Sequence, residues 1–411
     1  VLDVFLPAGY PQSVTDDYLE YQIYDSLQAF SSSIAGLLSS RAVLEGFGVG
    51  DSSASATGAL LLSILQESMG RLATILFAYR LGSALEPECK MYRLAADVFN
   101  DTAMVLDCLS PAFPKAARVL LLSFSSVLRA LCGVAAGSSK AALSAHFARQ
   151  QNLGELNAKD SSQETVISLM GMLVGSVVVS WISSPLATWV SMLLLLTVHL
   201  ATNHAAVRAV SMRSLNRQRA TIALSNLIQH DEALTPQEVS KRERIFERGG
   251  ALRWTDGRVI GRCRIGVRLD EVVGRLGVRD ERTQSVRTNA TALSGLLRVF
   301  QHESYVLWFD ASAREAAIVL KQDSSPVSQL KGWTTALLLL LGASERQASH
   351  GSQQPLGAGD GDVEVESMLR EALKRTNEVF DGFATRLAEA GFDLQVAALE
   401  TRPGSTRAAA Q

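Results

Sequence analysis

The feature that most restricts the fold of this chain is a stretch without charge, from Thr165 to Val207, which contains no Asp, Glu, Lys or Arg. Charged residues make up 19% of the whole sequence, so a run of this length indicates a segment that is kept away from water. Residues 165–182 and 186–207 would form helices of about 27 and about 33 Å, and each could cross a hydrocarbon core of about 30 Å. The sequence therefore predicts a transmembrane hairpin with a turn at "SSP".

The charges that flank this hairpin indicate its orientation. Four arginines come after the second helix with no acidic residue among them, namely Arg208, Arg213, Arg217 and Arg219. The excess of basic residues predicts that this end lies on the cytoplasmic or equivalent side of a membrane. The alternative is a pair of buried helices at the centre of a large soluble bundle, which can also be apolar on all sides.

The fold class expected from the whole pattern is mainly α: a multi-helix, membrane-embedded bundle followed by a small α+β C-terminal domain. Residues 1–25 mix Pro, Gly and Tyr with acidic residues and are expected to be irregular. The bundle is expected over residues 26–215, where Ala, Leu, Ser and Gly dominate and small residues permit close helix contact. Its helices are predicted near 26–46, 53–82, 90–109, 114–148, 161–183 and 186–212.

A change of composition marks the C-terminal region. Residues 216–250 are expected to form a helical connector rich in Arg and Gln, and residues 251–411 to form the α+β domain. Asp256-Gly257 is a turn signal between strand-like pieces, and Ser325 is a helix cap before Pro326. The remaining predictions are a β-hairpin at 305–321, a flexible linker at 347–362, a helix at 363–390 and a final strand at 393–399.

Net charge and cysteine spacing narrow the classes of function. A formal charge of -2 gives no global basic field, so nucleic acid is not an expected partner. The four cysteines form no paired motif, which predicts neither a zinc site nor a disulfide framework. They are interpreted as small apolar residues in a reducing compartment, at Cys89, Cys108, Cys132 and Cys263.

The polar cassette "AKDSSQET" at residues 158–165 stands directly before the apolar run. Ser161 and Glu164 have the spacing of a capping box, which predicts that the helix begins there. In a second hypothesis the cassette also binds an anionic ligand, because Lys159 would add a cationic donor to the exposed amides at a helix start. The candidate ligand-binding residues of the cassette are Lys159, Asp160, Ser161, Gln163 and Glu164.

Asp97 and Asp101 lie on one face of a predicted helix. The favoured interpretation is a solvated acidic face, and the alternative is an intramembrane pathway for a cation, proton or amine with Arg71 as partner. For Arg71 the simplest interpretation is an intrahelical ion pair with Glu67. His199 and His204 are five residues apart and therefore point to different helix faces, so they are interpreted as lone polar residues and no metal site is predicted.

Several long motifs, "FLPAGYPQSV", "YDSLQAFSSSIAG", "FNDTAMVLD" and "AKDSSQET", resemble the root-UVB-sensitive (RUS) family. The likeness is close over about residues 5–215 and looser beyond. It implies a role in vitamin B6 homeostasis at an organellar or other internal membrane, with a vitamer such as pyridoxal phosphate as ligand. It also implies a RUS-family paralogue or a second copy of the chain as partner, and it carries over no catalytic residue.

These patterns support two functions from different classes. The preferred one is a non-enzymatic, membrane-associated protein of vitamin B6 homeostasis that binds or transports a vitamer or acts as a scaffold. The alternative is a soluble or peripheral regulatory module that binds other proteins. An enzyme is the less favoured class. A pyridoxal phosphate enzyme needs a lysine that forms a Schiff base with the cofactor, and no pattern singles out Lys140 or Lys159 for that role.

Overall fold

The computed structural model describes residues 5–46, 56–182, 184–279, 286–287, 290–350, 360–401 and 408. The chain divides into two compact units, Val1–Val210 and Ser211–Gln411. Residues 216–250 belong to the second of them. Each unit has hydrophobic clusters of its own.

The described part of the first unit is built of helices, as the sequence predicts. A short 3-10 helix, Ser110–Ala112, comes after the third α-helix. The α-helices are α1 (Tyr18–Gly46), α2 (Ala56–Leu85), α3 (Cys89–Leu109), α4 (Lys115–Phe147), α5 (Leu153–Trp181) and α6 (Pro185–Ala209).

Successive helices of this unit run in alternating directions. The end of α4 meets the start of α1, where the Thr15 amide donates to the Phe147 carbonyl at 3.1 Å. The end of α1 meets the end of α5, where the Arg41 guanidinium donates to the Ile182 carbonyl at 2.9 Å. Consequently, the chain enters α1 and leaves α6 at the same end of the bundle.

The helix α1 begins earlier than expected, so the prediction of an irregular segment over residues 1–25 is wrong from Tyr18 onward. Tyr18 and Tyr21 are buried against Phe147, with ring centroids 5.5 and 5.1 Å away. Residues three apart lie on one helical face. These two tyrosines therefore join the start of α1 to the end of α4.

The capping box predicted at Ser161 is also wrong, because α5 already begins at Leu153 after the N-cap residue Asn152. Ser161 lies inside the helix, where its carbonyl accepts a hydrogen bond from the Thr165 hydroxyl at 2.7 Å. Leu156 is buried and fixes the preceding turn. The spacing of a capping box also occurs within helices, since residues three apart are neighbours on a helix face.

Four described helices of this unit are long and apolar enough to cross a membrane by length and composition, and two of them contain the segments of the predicted hairpin. Their apolar side chains are largely exposed, for example Leu173 at 61% and Trp181 at 84%. Exposed apolar patches of this extent are unusual on a soluble monomer. The four segments are Leu60–Leu85, Lys115–Phe147, Leu153–Trp181 and Pro185–Ala209.

Two glycines let α5 approach α1 closely. A Cβ atom at Gly171 would lie 2.7 Å from the Ser33 Cβ and 3.0 Å from the Phe30 carbonyl oxygen, and one at Gly175 would lie 3.2 Å from the Ile34 Cα. The two glycines are four residues apart, the spacing of small residues at close helix contacts in membranes. A side chain at either position would push the two helices apart.

We expect Gly171→Ala to lower the free energy of unfolding by about 1 to 3 kcal/mol, because the added methyl group overpacks the contact. Gly137→Ala is the matched control, because a Cβ there meets no atom within 4 Å. That control should be neutral or stabilising by up to about 1 kcal/mol through helix propensity. Denaturant unfolding of the purified protein, followed by circular dichroism, measures the stability of both variants. If Gly171→Ala were as stable as Gly137→Ala, the close contact between α1 and α5 would be contradicted.

The second unit is an α+β domain, as predicted. Its four-stranded sheet has the order β1-β2-β6-β5, in which β2 and β6 are parallel and the other pairs antiparallel, while β3 and β4 pair separately. The strands are β1 (Ala251–Arg253), β2 (Val259–Ile265), β3 (Val278–Arg279), β4 (Val286–Arg287), β5 (Tyr305–Asp310) and β6 (Glu315–Leu320). The helices are α7 (Arg217–His230), α8 (Pro236–Arg242), α9 (Leu269–Leu276), α10 (Ala290–Val299), α11 (Pro326–His350) and α12 (Asp360–Glu389).

The turn, hairpin and helix-cap signals predicted for this unit are confirmed. Gly257 closes the first hairpin with φ +86°, a conformation that glycine adopts without strain. The β5–β6 hairpin forms as expected. The Ser325 hydroxyl accepts the Ser328 amide at 3.1 Å at the start of α11, so this helix begins at the predicted cap.

The core of this unit lies between α11 and the sheet. Trp333 is fully buried and donates from its indole nitrogen to the Thr221 hydroxyl on α7 at 3.0 Å. Leu340 packs over Gly261 of β2 so closely that a Cβ at the glycine would lie 2.5 Å from it. These contacts hold α7, α11 and β2 together as one layered core.

Two predictions for the C-terminal region need correction. The ends of the linker expected at 347–362 are helical, since α11 extends to His350 and α12 begins at Asp360, and its middle lies outside the described residues. The strand expected at 393–399 is absent: within it Asp393 makes an isolated bridge to Ser214. The Asp393 carboxylate instead accepts the Gln395 amide at 2.9 Å, a local turn that competes with strand pairing.

Candidate functional site

A row of polar contacts joins α1 to α3. Asp25 meets Arg93 at 2.7 Å, and Ser39 meets Asp107 at 2.9 Å. In both pairs the two partners are 68 residues apart in the chain. Along each helix the contacting residues are separated by a multiple of seven residues. The two helices therefore run parallel in constant register. A repeat of seven residues keeps one face of each helix turned toward its partner.

His199 of α6 completes a buried site on this seam. Its ring is 1% exposed, with Nδ1 2.7 Å from Asp101 Oδ1 and Nε2 2.7 Å from Gln28 Oε1. With the Gln28 amide in this orientation, both ring nitrogens face oxygen acceptors. The ring therefore links Asp101 of α3 to Gln28 of α1.

Arg93 is held between two carboxylates. One guanidinium nitrogen lies 2.7 Å from Asp25 Oδ1 and another 3.3 Å from Asp97 Oδ1. Burial raises the pKa of Asp97 although the Arg93 charge opposes the shift. The pKa of Arg93 lies well above its usual value because the carboxylates of Asp97 and Asp25 outweigh the cost of burial.

The cluster has more acidic than basic side chains. The carboxyl groups of Asp25 and Asp97 face the guanidinium of Arg93, and the carboxyl group of Asp101 faces the ring of His199. Asp97 Oδ2 and Asp101 Oδ2 are buried, and neither has a hydrogen-bond partner among the described residues. Buried polar atoms are seldom left without a partner, so these oxygens mark a place where a proton or cation would be stabilised.

Asn203 extends this polar face by one helical turn beyond His199. It is 1% exposed, and in the part of the chain that the structure describes neither its amide nitrogen nor its amide oxygen has a hydrogen-bond partner. We call the set defined by Asp25, Gln28, Arg93, Asp97, Asp101, His199 and Asn203 the buried network.

Comparison with known proteins assigns both units. A family model described as the vitamin B6 photo-protection and homoeostasis domain matches residues 1–231. A second model, described as the root UVB sensitive protein C-terminal domain, matches residues 232–402. The chain belongs to the root UVB sensitive (RUS) family.

Curated relatives agree with this assignment. Root UVB sensitive 3 of Arabidopsis thaliana is 36% identical over 342 residues, which cover 82% of this chain and 74% of that protein. RUS family member 1 of Dictyostelium discoideum is 41% identical over 248 residues, 59% of this chain and 47% of that protein. Root UVB sensitive 2, chloroplastic, of Arabidopsis thaliana is 24% identical over 392 residues, 95% of this chain and 81% of that protein. No solved structure matches the chain.

The acidic residues predicted in this RUS-family chain are placed differently from the favoured interpretation. Asp97 and Asp101 are each 5% exposed, so the solvated acidic face is wrong. Arg71 is not their partner: it pairs with Glu67 at 2.6 Å on an exposed surface, as the simplest interpretation had it. The groups that contact the two aspartates, Arg93 and His199, were not predicted.

Three residues of the predicted cassette come together around a lysine from α4. Lys140 Nζ lies 2.7 Å from carboxylate oxygens of both Asp160 and Glu164. The Gln22 amide of α1 donates to Asp160 at 2.8 Å and to Gln163 at 3.0 Å. This second cluster thus joins α1, α4 and α5 side by side.

Lys159 and Ser161 do not join that cluster through the contacts described. Both lie beyond the first turn of α5, where the backbone amides are already bonded within the helix. Lys159 is therefore not at a helix start, and the hypothesis that it binds an anion beside exposed amides does not apply. A role of Lys159 in ligand binding stays a prediction. No group of metal ligands occurs among the described residues.

A signal for the buried network was present in the sequence. His199 stands inside the run without charge, and an ionisable residue in such a run is a functional candidate by itself. The five-residue spacing of His199 and His204 argues only against a shared metal ion. It does not bear on whether His199 alone is a functional residue. Residues far apart in the chain, Gln28 and Asp101, face the same ring, and no local pattern reveals that.

The raised pKa of Asp97 predicts a pH dependence. The folded protein binds this proton more tightly than the unfolded chain, so the stabilising contribution is fully present below the usual pKa and is lost as pH rises through the folded pKa. Asp97→Asn cannot ionise, and its stability should fall less steeply than that of the wild type as pH rises above about 4. Thermal unfolding at a series of pH values measures this slope.

The control for that measurement is Asp16→Asn, whose side chain is 84% exposed. It should keep the slope of the wild type. If Asp97→Asn kept that slope as well, burial would not govern the protonation of Asp97.

Proposed function

We propose that this RUS-family protein is a non-enzymatic membrane protein that acts in vitamin B6 homeostasis by binding a vitamer and moving it through the helical unit. The observation that carries the proposal is an inverted distribution of polarity. Apolar side chains such as Leu173 and Leu194 are exposed, whereas His199 and Asn203 are buried. A lipid environment favours this arrangement, since ionisable groups in membranes face the interior of a bundle.

The acidic side chains of the buried network support a cationic group as its ligand. Three aspartates stand against one arginine, and Asp97 Oδ2 and Asp101 Oδ2 have no hydrogen-bond partner among the described residues. The vitamers of the family's domain description carry a pyridine nitrogen that can be protonated, and the amine form carries an ammonium group. An acidic, desolvated site attracts such a cation more strongly than an exposed one would.

The proposed location is an intracellular membrane. One relative, root UVB sensitive 2 of Arabidopsis thaliana, is named chloroplastic, which supports an organelle for that protein. The basic residues at the end of α6 and after it, among them Arg208 and Arg213, support a matrix-side or cytoplasmic end for that terminus of the hairpin. A paralogue or a second copy of the chain remains the proposed partner.

Carbonate extraction and labelling test the membrane part of the proposal. We expect the protein to stay with the membrane pellet. We also expect cysteines introduced at Gln151 and Arg213, at the two ends of the hairpin, to react with an impermeant reagent from the same side. A cysteine at Leu186, in the first turn of α6, should react from the opposite side.

The unaltered protein, with its own four cysteines, gives the background of that labelling. Release into the supernatant would favour the soluble or peripheral regulatory module. Equal access of the Gln151 and Leu186 positions from one side would exclude a hairpin that crosses the membrane.

A matched pair of histidine variants tests the ligand site. His199→Asn removes the ring that joins Asp101 to Gln28, and we expect it to weaken binding of radiolabelled pyridoxine and its uptake into proteoliposomes by about tenfold or more, roughly 1.4 kcal/mol. His204→Asn is the control, because His204 is exposed on the same helix. Its binding should equal that of the wild type.

Thermal unfolding of both variants separates a folding defect from a loss of binding. If a folded His199→Asn protein bound and transported pyridoxine like the wild type, the buried network would not be the ligand site. If the wild type itself bound no vitamer, transport would be excluded in favour of a scaffold.

A further inference from the structure

The second unit contains a cavity of about 200 Å³ that lies outside the proposed transport unit. One wall is a single face of α7, formed by residues three and four apart that include Thr221 and Ser225. The opposite wall is formed by the end of α8, the segment after it, strand β1 and Trp254, which follows β1. Both walls belong to the same compact unit.

The ionisable residues that line this cavity are three arginines and one glutamate. Arg253 is neutralised, because two of its nitrogens bond the two oxygens of Glu247 at 2.9 and 3.1 Å. This pairing lowers the pKa of Glu247 and keeps the carboxylate charged. Two positive charges, those of Arg242 and Arg244, are left over.

Neither of these arginines forms an ion pair with a carboxylate among the described residues. Arg242 donates to the side-chain oxygen of Asn226 at 3.0 Å, and for Arg244 the contact described is its backbone amide with Gln218 at 3.2 Å. Each guanidinium therefore keeps donors that can bond an oxyanion. Arginine matches the geometry of phosphate oxygens with two parallel hydrogen bonds.

The geometry points to a binding site for a phosphate monoester in this cavity, and we propose that Arg242 and Arg244 hold the phosphate while Trp254 contacts the organic part. The cavity is smaller than the roughly 300 to 1,000 Å³ of typical ligand pockets. A phosphate carried on a single ring or a short chain fits it. The inference is independent of the proposed function, since it uses no residue of the buried network.

The test measures binding of pyridoxine 5′-phosphate to the full-length protein in detergent by isothermal titration calorimetry. This probe has no aldehyde and so forms no adduct with lysines. We expect saturable binding to the wild type that weakens by about tenfold or more in the double variant Arg242→Gln and Arg244→Gln, because two charge-assisted contacts are lost. Added salt should weaken the binding as well.

The control variant is Arg248→Gln, an exposed arginine of the same segment that does not line the cavity. It should bind like the wild type. Short-chain phosphatidic acid in the same micelles separates a lipid source of the phosphate from a soluble one, since arginine-dependent binding of either probe supports the site. Unchanged binding of both probes by the double variant, or no saturable binding of either, would overturn the proposal.

Pyridoxine without phosphate provides the last arm. It should bind at least about tenfold more weakly at this site, because the arginines lose their partner. Equal affinity for both forms would overturn recognition of the phosphate. Because His199→Asn leaves this cavity untouched, failure of the network proposal and failure of this one are observed in different variants.

Discussion

The burial of Arg93 between Asp25 and Asp97 is the constraint on which the rest of the helical unit depends. Removing charges from water costs several kcal/mol per ion, and only well-placed partners offset that cost. The partners come from α1 and α3, so the ion pairs fix the register of these two helices. Once that register is set, α6 can place His199 against Asp101 and Gln28. The acidic excess of the site is thus a consequence of how the helices are aligned.

The fold could be predicted from the sequence where the signal was local. The hairpin of α5 and α6 is predicted by one run without charge, and the start of α11 by Ser325 and Pro326. The same kind of pattern failed at Ser161, whose partner Glu164 lies three residues on, yet it holds at Thr235, where the capping box with Glu238 is formed. Pro236 makes the difference, because proline fits the first turn of a helix and prevents the helix from extending backwards. Nothing stops the helix before Ser161.

The candidate site could be predicted only in part, for a physical reason. Asp97 and Asp101 were identified as candidates, but whether they face water or the interior depends on what packs against α3. That choice is made by Gln28 and His199, which lie tens of residues away in the chain and on other helices. A sequence without aligned relatives carries no signal of such pairings. The second unit has the same limit, since its arginine-lined cavity joins α7 to a strand and a loop.

The six α-helices described in the first unit alternate in direction, so their even number decides at which end the chain leaves the bundle. An even number of passes returns the chain to the end at which it started, so the entry to α1 and the exit of α6 lie together. Loss of a single helix would move Val210 to the opposite end of the bundle, whereas loss of the α5–α6 pair would leave the exit where it is. If the segment after Val210 is to leave the bundle at the same end, helices of this unit can be gained or lost in pairs but not singly.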